Sequence, residues 1–180
     1  MEEGKMKVFP RFLFGVAFGF ILLGSVACDN KIDSCYAYLK SGNYKKAIEE
    51  GKQAIHIFSD DARGHLCLGI AYYNINDLNN AKYHFEEGLK CAIKDEDKLW
   101  EGISYEWLGL YYHKVGKREI AREYYNKAYE VFKSIGYQEG IKTVETLISK
   151  LESEEIADAA IDFLVEFIPF GKLFKAFNKR

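Results

Sequence analysis

Five sets of positions recur along this chain at one shared pair of steps, and no other feature limits its fold as strongly. Cys35, Gly69 and Gly109 align, as do Tyr38, Tyr72 and Tyr112; Ala47, Ala81 and Ala121; Gly51, Phe85 and Tyr125; and Ala54, Gly88 and Ala128, each set spaced by 34 and then 40 residues. A unit of this length is one supersecondary motif that cannot bury its own apolar face, so successive units must stack. Residues of low helix propensity at Gly42-Asn43, Asn76-Asp77 and Gly116-Lys117 divide each unit into two antiparallel helices. The small positions let helices approach closely while the tyrosines and Phe85 fill the remaining space. The two prolines, Pro10 and Pro169, leave everything between them open to helix.

The stretches SCYAYLKSGNYKKAIEEGKQA, LGIAYYNINDLNNAKYHFEEGLK and LGLYYHKVGKREIAREYYNKA carry these positions and resemble the tetratricopeptide (TPR) repeat. The resemblance implies an all-α TPR helical-hairpin solenoid. About three repeats, at 28–61, 62–101 and 102–135, are followed by a capping helix at 137–152, and together they make a domain of 28–152. The proline that often closes such a repeat is missing. The six residues added in the second step, within KCAIKDEDKLWEG, are expected to lengthen the helices on either side. The capping helix has Ile141, Val144, Leu147, Ile148 and Leu151 on one side and Lys142, Glu145, Lys150 and Glu152 on the other.

In TPR proteins the first helix of each pair lines a concave face, and the groove positions carry over by alignment. They fall on Asp29, Ile32, Tyr36, Leu39 and Lys40 in the first repeat; on Arg63, Leu66, Ile70, Tyr73 and Asn74 in the second; and on Ile103, Glu106, Leu110, His113 and Lys114 in the third. The clamp that holds acidic C-terminal peptides of heat-shock chaperones needs Lys, Asn and Arg where this chain has Ile32, Tyr36, Leu66, Ile70 and Leu110. An apolar or amphipathic helix suits such a groove better, as a protein or peptide partner.

The N-terminus reads as an address. Phe12 to Ala27 is an uncharged, mostly apolar run behind Lys5, Lys7 and Arg11, too short for comfortable spanning and suited to an export signal over 1–27. GSVAC resembles a bacterial lipobox, which implies lipidation of Cys28 and a lipid-anchored protein facing the periplasm or exterior. A plain signal peptide or an uncleaved anchor is the alternative.

The tail, 153–180, is an amphipathic helical segment. Asp158, Asp162 and Glu166 form an acidic stripe beside Ile156, Ala160, Ile161, Phe163, Leu164, Phe167 and Ile168, and Pro169 and Gly171 then break the helix. FGKLFKAFNKR follows, with Lys172, Lys175 and Lys179 on one side and Leu173, Phe174 and Phe177 on the other. Docking on the last repeat, contact with an anionic membrane through Lys172, Phe174, Lys175, Phe177 and Lys179, and occupation of the chain's own groove are all compatible with this pattern.

Catalytic chemistry is not legible. His56, His65, His84 and His113 lie in separate helices without a Cys or His at i+3 or i+4, so no metal site is expected. No nucleophile, base or phosphate-loop motif stands out, so neither an enzyme nor a cofactor is expected. A net charge of −2 offers no general attraction for nucleic acid. Of the cysteines other than Cys28, Cys35 is expected to act as a buried apolar side chain, and one disulfide at most can join two among Cys35, Cys67 and Cys91. The sequence therefore reads as an anchored interaction scaffold at a bacterial cell envelope, similar to small TPR lipoproteins that assist outer-membrane or pilus assembly. Its rival is a tether whose tail binds lipid, with the repeats as spacer. Three repeats are few, so homodimerisation through the exposed end is compatible with both.

Overall fold

The computed structural model describes Val26 and residues 29–167, with side chains to Phe163. The expectations for 1–27 (Val26 apart), for Cys28 and for the lysines and phenylalanines of 168–180 lie outside the described residues. Among the described residues there are seven helices: α1 (29–40), α2 (Tyr44–Ile57), α3 (Ala62–Asn74), α4 (Leu78–Lys94), α5 (Lys98–Lys114), α6 (Arg118–Ser134) and α7 (Gln138–Phe167). The chain forms two compact units, Met1–His84 and Phe85–Arg180, divided within α4.

One turn design is used repeatedly. Gly42, Asn76, Glu96, Gly116 and Gly136 each have positive φ and follow a helix end. The next residue's N–H donates to a carbonyl five positions back, as in Asn43 to Tyr38, Asp77 to Tyr72 and Lys117 to Tyr112, each at 2.9 Å. This bond and the left-handed residue satisfy carbonyls that the helix leaves open. Asn43, Asp61, Asp77 and Asp97 then accept from backbone N–H groups of the following helix, each such cap contributing about 1 kcal/mol.

The insertion lands where the spacing places it. The helices α4 and α5 have 17 residues each, against 14 in α2 and 13 in α3.

In the first unit Cys35, Ala47, Cys67 and Ala71 form a small-residue core with Tyr36, Tyr38, Leu39 and Ile48 against it. A Cβ on Gly51 would stand 2.8 Å from Leu68 Cγ and 3.2 Å from Cys35 Sγ, so only glycine permits this approach. Cys35 and Cys67 are joined by a disulfide across a Cα separation of 6.4 Å. This corrects the expectation for Cys35: it is fully buried, but as half of a bridge. Helices α1 and α3 lie side by side here and present both sulfurs to the same interior. Cys91 is buried and outside the bridge.

In the second unit Tyr125, Phe132, Val144 and Leu151 are fully buried with Ala121 and Ala128. The ring of Tyr125 lies over Gly109, where a Cβ would come within 2.4 Å of it. The sequence division at 152/153 does not appear as a break, because α7 runs unbroken from Gln138 to Phe167. No proline or glycine stands between Gly140 and Phe167, and Ala157, Ala159 and Ala160 favour helix, so propensity carries the helix past its last fully buried residue, Leu151. Beyond it Ile156, Ile161 and Phe163 are exposed, at 71%, 57% and 58%. Docking of α7's distal half is instead polar. Among the described residues no helix is long and apolar enough to cross a membrane.

Candidate partner-binding faces

Within the first unit the groove positions separate into three kinds. Ile32 and Leu66 are buried, at 3% and 0%, and so are closed to a ligand in this conformation. Ile32 is taken up by Ala54, Tyr36 and Phe58. Asp29, Tyr36 and Arg63 are committed to one another's helices: Arg63 donates to Asp29 at 2.8 Å and to Asp61 at 2.7 Å, and the Tyr36 hydroxyl donates to the Arg63 carbonyl at 3.3 Å. Burial, and then the charge of Asp61, hold that hydroxyl firmly protonated, while the bond to Asp61 keeps Arg63 charged. Leu39, Ile70 and Tyr73 are half-buried, and Lys40 and Asn74 are exposed. Asn74 donates to the Ile70 carbonyl on its own helix. These last five keep surface for a partner.

The second unit presents a stripe on α5. Ile103, Glu106, Leu110 and His113 recur at three- and four-residue spacing, all half-buried. Ile103 and Leu110 lean on the Phe132 and Leu151 cluster. Burial alone pushes the Glu106 carboxyl up to about 7. His113 is occupied: Nε2 meets Glu154 of α7 at 2.7 Å, and Nδ1 lies 3.4 Å from the Tyr125 hydroxyl. The bond to His113 holds Glu154 below its ordinary range. Arg118 bonds Asp158 and Arg122 bonds Glu155, both at 2.5 Å, so α7 docks through its acidic side. Lys114 is exposed at the end of the stripe.

One polar pair was not legible from local spacing. His65 and His84 are both buried, with Nδ1 atoms 3.1 Å apart, and His65 Nε2 lies 3.0 Å from the Ser59 carbonyl. A carbonyl only accepts, so His65 carries its proton on Nε2 and, when neutral, accepts at Nδ1 from His84. Tyr72 stacks on His84, with the rings nearly parallel. The signal was available in the repeat register, which places these residues on facing helices of one hairpin. Among the described residues no group of three His, Cys, Asp or Glu side chains is arranged to hold a metal ion.

Residues 36–76 match a family model described as TPR repeat, and 103–134 match one described as tetratricopeptide repeat. The chain carries tetratricopeptide repeats. The fold agrees with solved structures of low sequence identity, a TPR domain among them. The type III secretion translocator chaperone SycD of Yersinia enterocolitica is similar at 16% identity and a TM-score of 0.60, over 71% of this chain and 84% of that one. The N-terminal domain of stress-induced protein-1 from C. elegans is similar at 15% and 0.57, over 72% of this chain and 97% of that one. The Arabidopsis OM64 TPR domain is similar at 14% and 0.58, over 71% and 98%. No curated protein matches the sequence. The fold is an all-α TPR helical-hairpin solenoid, and TPR folds serve as protein-interaction scaffolds.

Proposed function

We propose that this TPR protein is a membrane-anchored scaffold at a bacterial cell envelope, holding an apolar or amphipathic helix of a partner protein, possessing no catalytic role, and assisting assembly of an envelope complex. The observation that carries the binding role is the set of half-buried apolar and tyrosine side chains at TPR groove positions, Leu39, Ile70 and Tyr73 in one unit and Ile103 and Leu110 in the other. Apolar anchors of this kind supply most of the energy in helix recognition. The anchor rests on the GSVAC segment with Cys28 as the lipidated residue. The Cys35–Cys67 disulfide supports export, because such bonds persist in oxidising compartments.

In-cell photocrosslinking from Tyr73 tests the scaffold. A discrete protein adduct that disappears when the probe moves to exposed Glu123 on α6 is expected; equal adducts from both positions would remove the reading. For the anchor, Cys28→Ser should abolish acyl labelling and release the protein from membranes, and retained labelling would refute it.

A second reading is favoured by the exposed Ile156, Ile161 and Phe163, which lead into the basic tail. In it the tail binds anionic lipid and the repeats are a spacer. Full-length and tail-deleted proteins, both carrying Cys28→Ser, would then differ in liposome binding. The His113–Glu154 contact supports a related proposal, self-capping, under which tail deletion increases partner capture.

A further inference from the structure

The carboxylates that the second unit takes out of solvent have cations beside them, with one exception. Glu101 is 8% exposed and bonds Lys98 at 2.7 Å, Glu154 lies 3.9 Å from the Arg118 guanidinium and Glu155 meets Arg122. Glu106 has no such companion: among the described residues it makes no hydrogen bond and no ion pair, and burial alone accounts for its perturbation. Among the described residues the titratable group it acts on is the Tyr137 hydroxyl, which burial, Glu139 and then Glu106 hold protonated. A carboxylate half removed from water without a cation raises the free energy of the unliganded protein. That cost is recovered when a cation arrives from outside.

Glu106 also sits where an arriving helix would need it. It lies three residues after Ile103 and four before Leu110 on the inner stripe of α5, between two apolar contacts. We propose that Glu106 is the specificity residue of the groove and selects a partner helix carrying a single lysine or arginine among its apolar anchors. The apolar anchors supply contact area, while the half-buried carboxylate, when charged, disfavours a helix with a neutral or acidic residue at that place. This inference rests on the scaffold reading and adds the partner's charge and its register to it.

The test uses the full chain in detergent micelles with two fluorescent amphipathic helical peptides. Both have a leucine stripe at i, i+3, i+4 and i+7 and differ at one central position, lysine in one and norleucine in the other. At pH 8, where Glu106 is charged, the lysine peptide should bind about tenfold more tightly or better. Glu106→Gln should erase that preference, and Glu106→Lys should transfer it to a third peptide with glutamate at the central position. Helix content measured on each variant separates lost recognition from lost folding. Equal binding of the lysine and norleucine peptides by the wild-type chain overturns the inference and leaves the scaffold reading intact. Binding of none overturns both. Self-association of the wild-type chain that Glu106→Gln abolishes would make a second copy the occupant and would also overturn it.

Discussion

The two units solve the same packing problem with different materials. The three largest fully buried side chains, Tyr125, Phe85 and Phe132, all belong to the second unit, whereas the first has Leu66, Leu68 and the cysteine pair. Large rings fitted against glycines bury enough apolar surface to hold α5, α6 and α7 without a covalent link. Around alanines and cysteines there is less to bury, and the first unit adds a disulfide and a buried histidine pair. Two stretches of one repeat can thus share a backbone design and differ in what stabilises it.

The comparison is most easily broken at Phe132. Phe132→Ala should cost about 3–5 kcal/mol, with hydrogen exchange rising across α5, α6 and α7 and staying unchanged in α1 to α3; uniform loosening would mean that the units are not separately stabilised. Removing the bridge with Cys35→Ser and Cys67→Ser comes next, with the loss confined to the first unit. For a separation of 32 residues the expected cost is about 3–4 kcal/mol, read from urea denaturation with and without reductant.

Smaller effects sharpen the contrast. Gly109→Ala must push the Tyr125 ring aside and should cost about 1–3 kcal/mol, while a thermal shift within error would show that the ring yields freely. Glu106 makes the second unit pH-sensitive. Its folded pKa, about 7, is above the unfolded value, so the stability it contributes is fully present below about 4.5 and lost as pH rises through about 7. Glu106→Gln should therefore stabilise by roughly 1–2 kcal/mol at pH 8 and change little at pH 4.5, checked by denaturant melts at both values. Arg122→Ala, at a partly exposed ion pair with Glu155, should cost less than about 1 kcal/mol, with any loosening limited to α7 beyond Leu151.

Much of this architecture was legible because it repeats. Gly42, Asn76 and Gly116 keep the 34 and 40 spacing and all adopt positive φ, and each stands just after an apolar-periodic helix, where a left-handed residue is required. The candidate site was legible only as positions. Alignment names Ile32 and Leu66 together with Ile70 and Leu110 as groove residues, yet the first two are buried, since depth depends on which neighbours close over a helix. The continuity of α7 was obscured by the change from a buried apolar stripe to an acidic one near Glu152, a change of surroundings that leaves helix propensity intact.

By itself, then, the sequence determined the helical type of the elements, the turns between the repeat helices and the place of the small and aromatic contacts, because these follow from short-range periodicity and backbone chemistry repeated along the chain. Tertiary structure alone decided that Cys35 meets Cys67, that His65 and His84 are joined by a hydrogen bond, that Glu154 takes up His113 and that Glu106 is left without a cation. Each of these depends on the approach of side chains from different helices, and that approach is set by how all the neighbouring side chains fill space together.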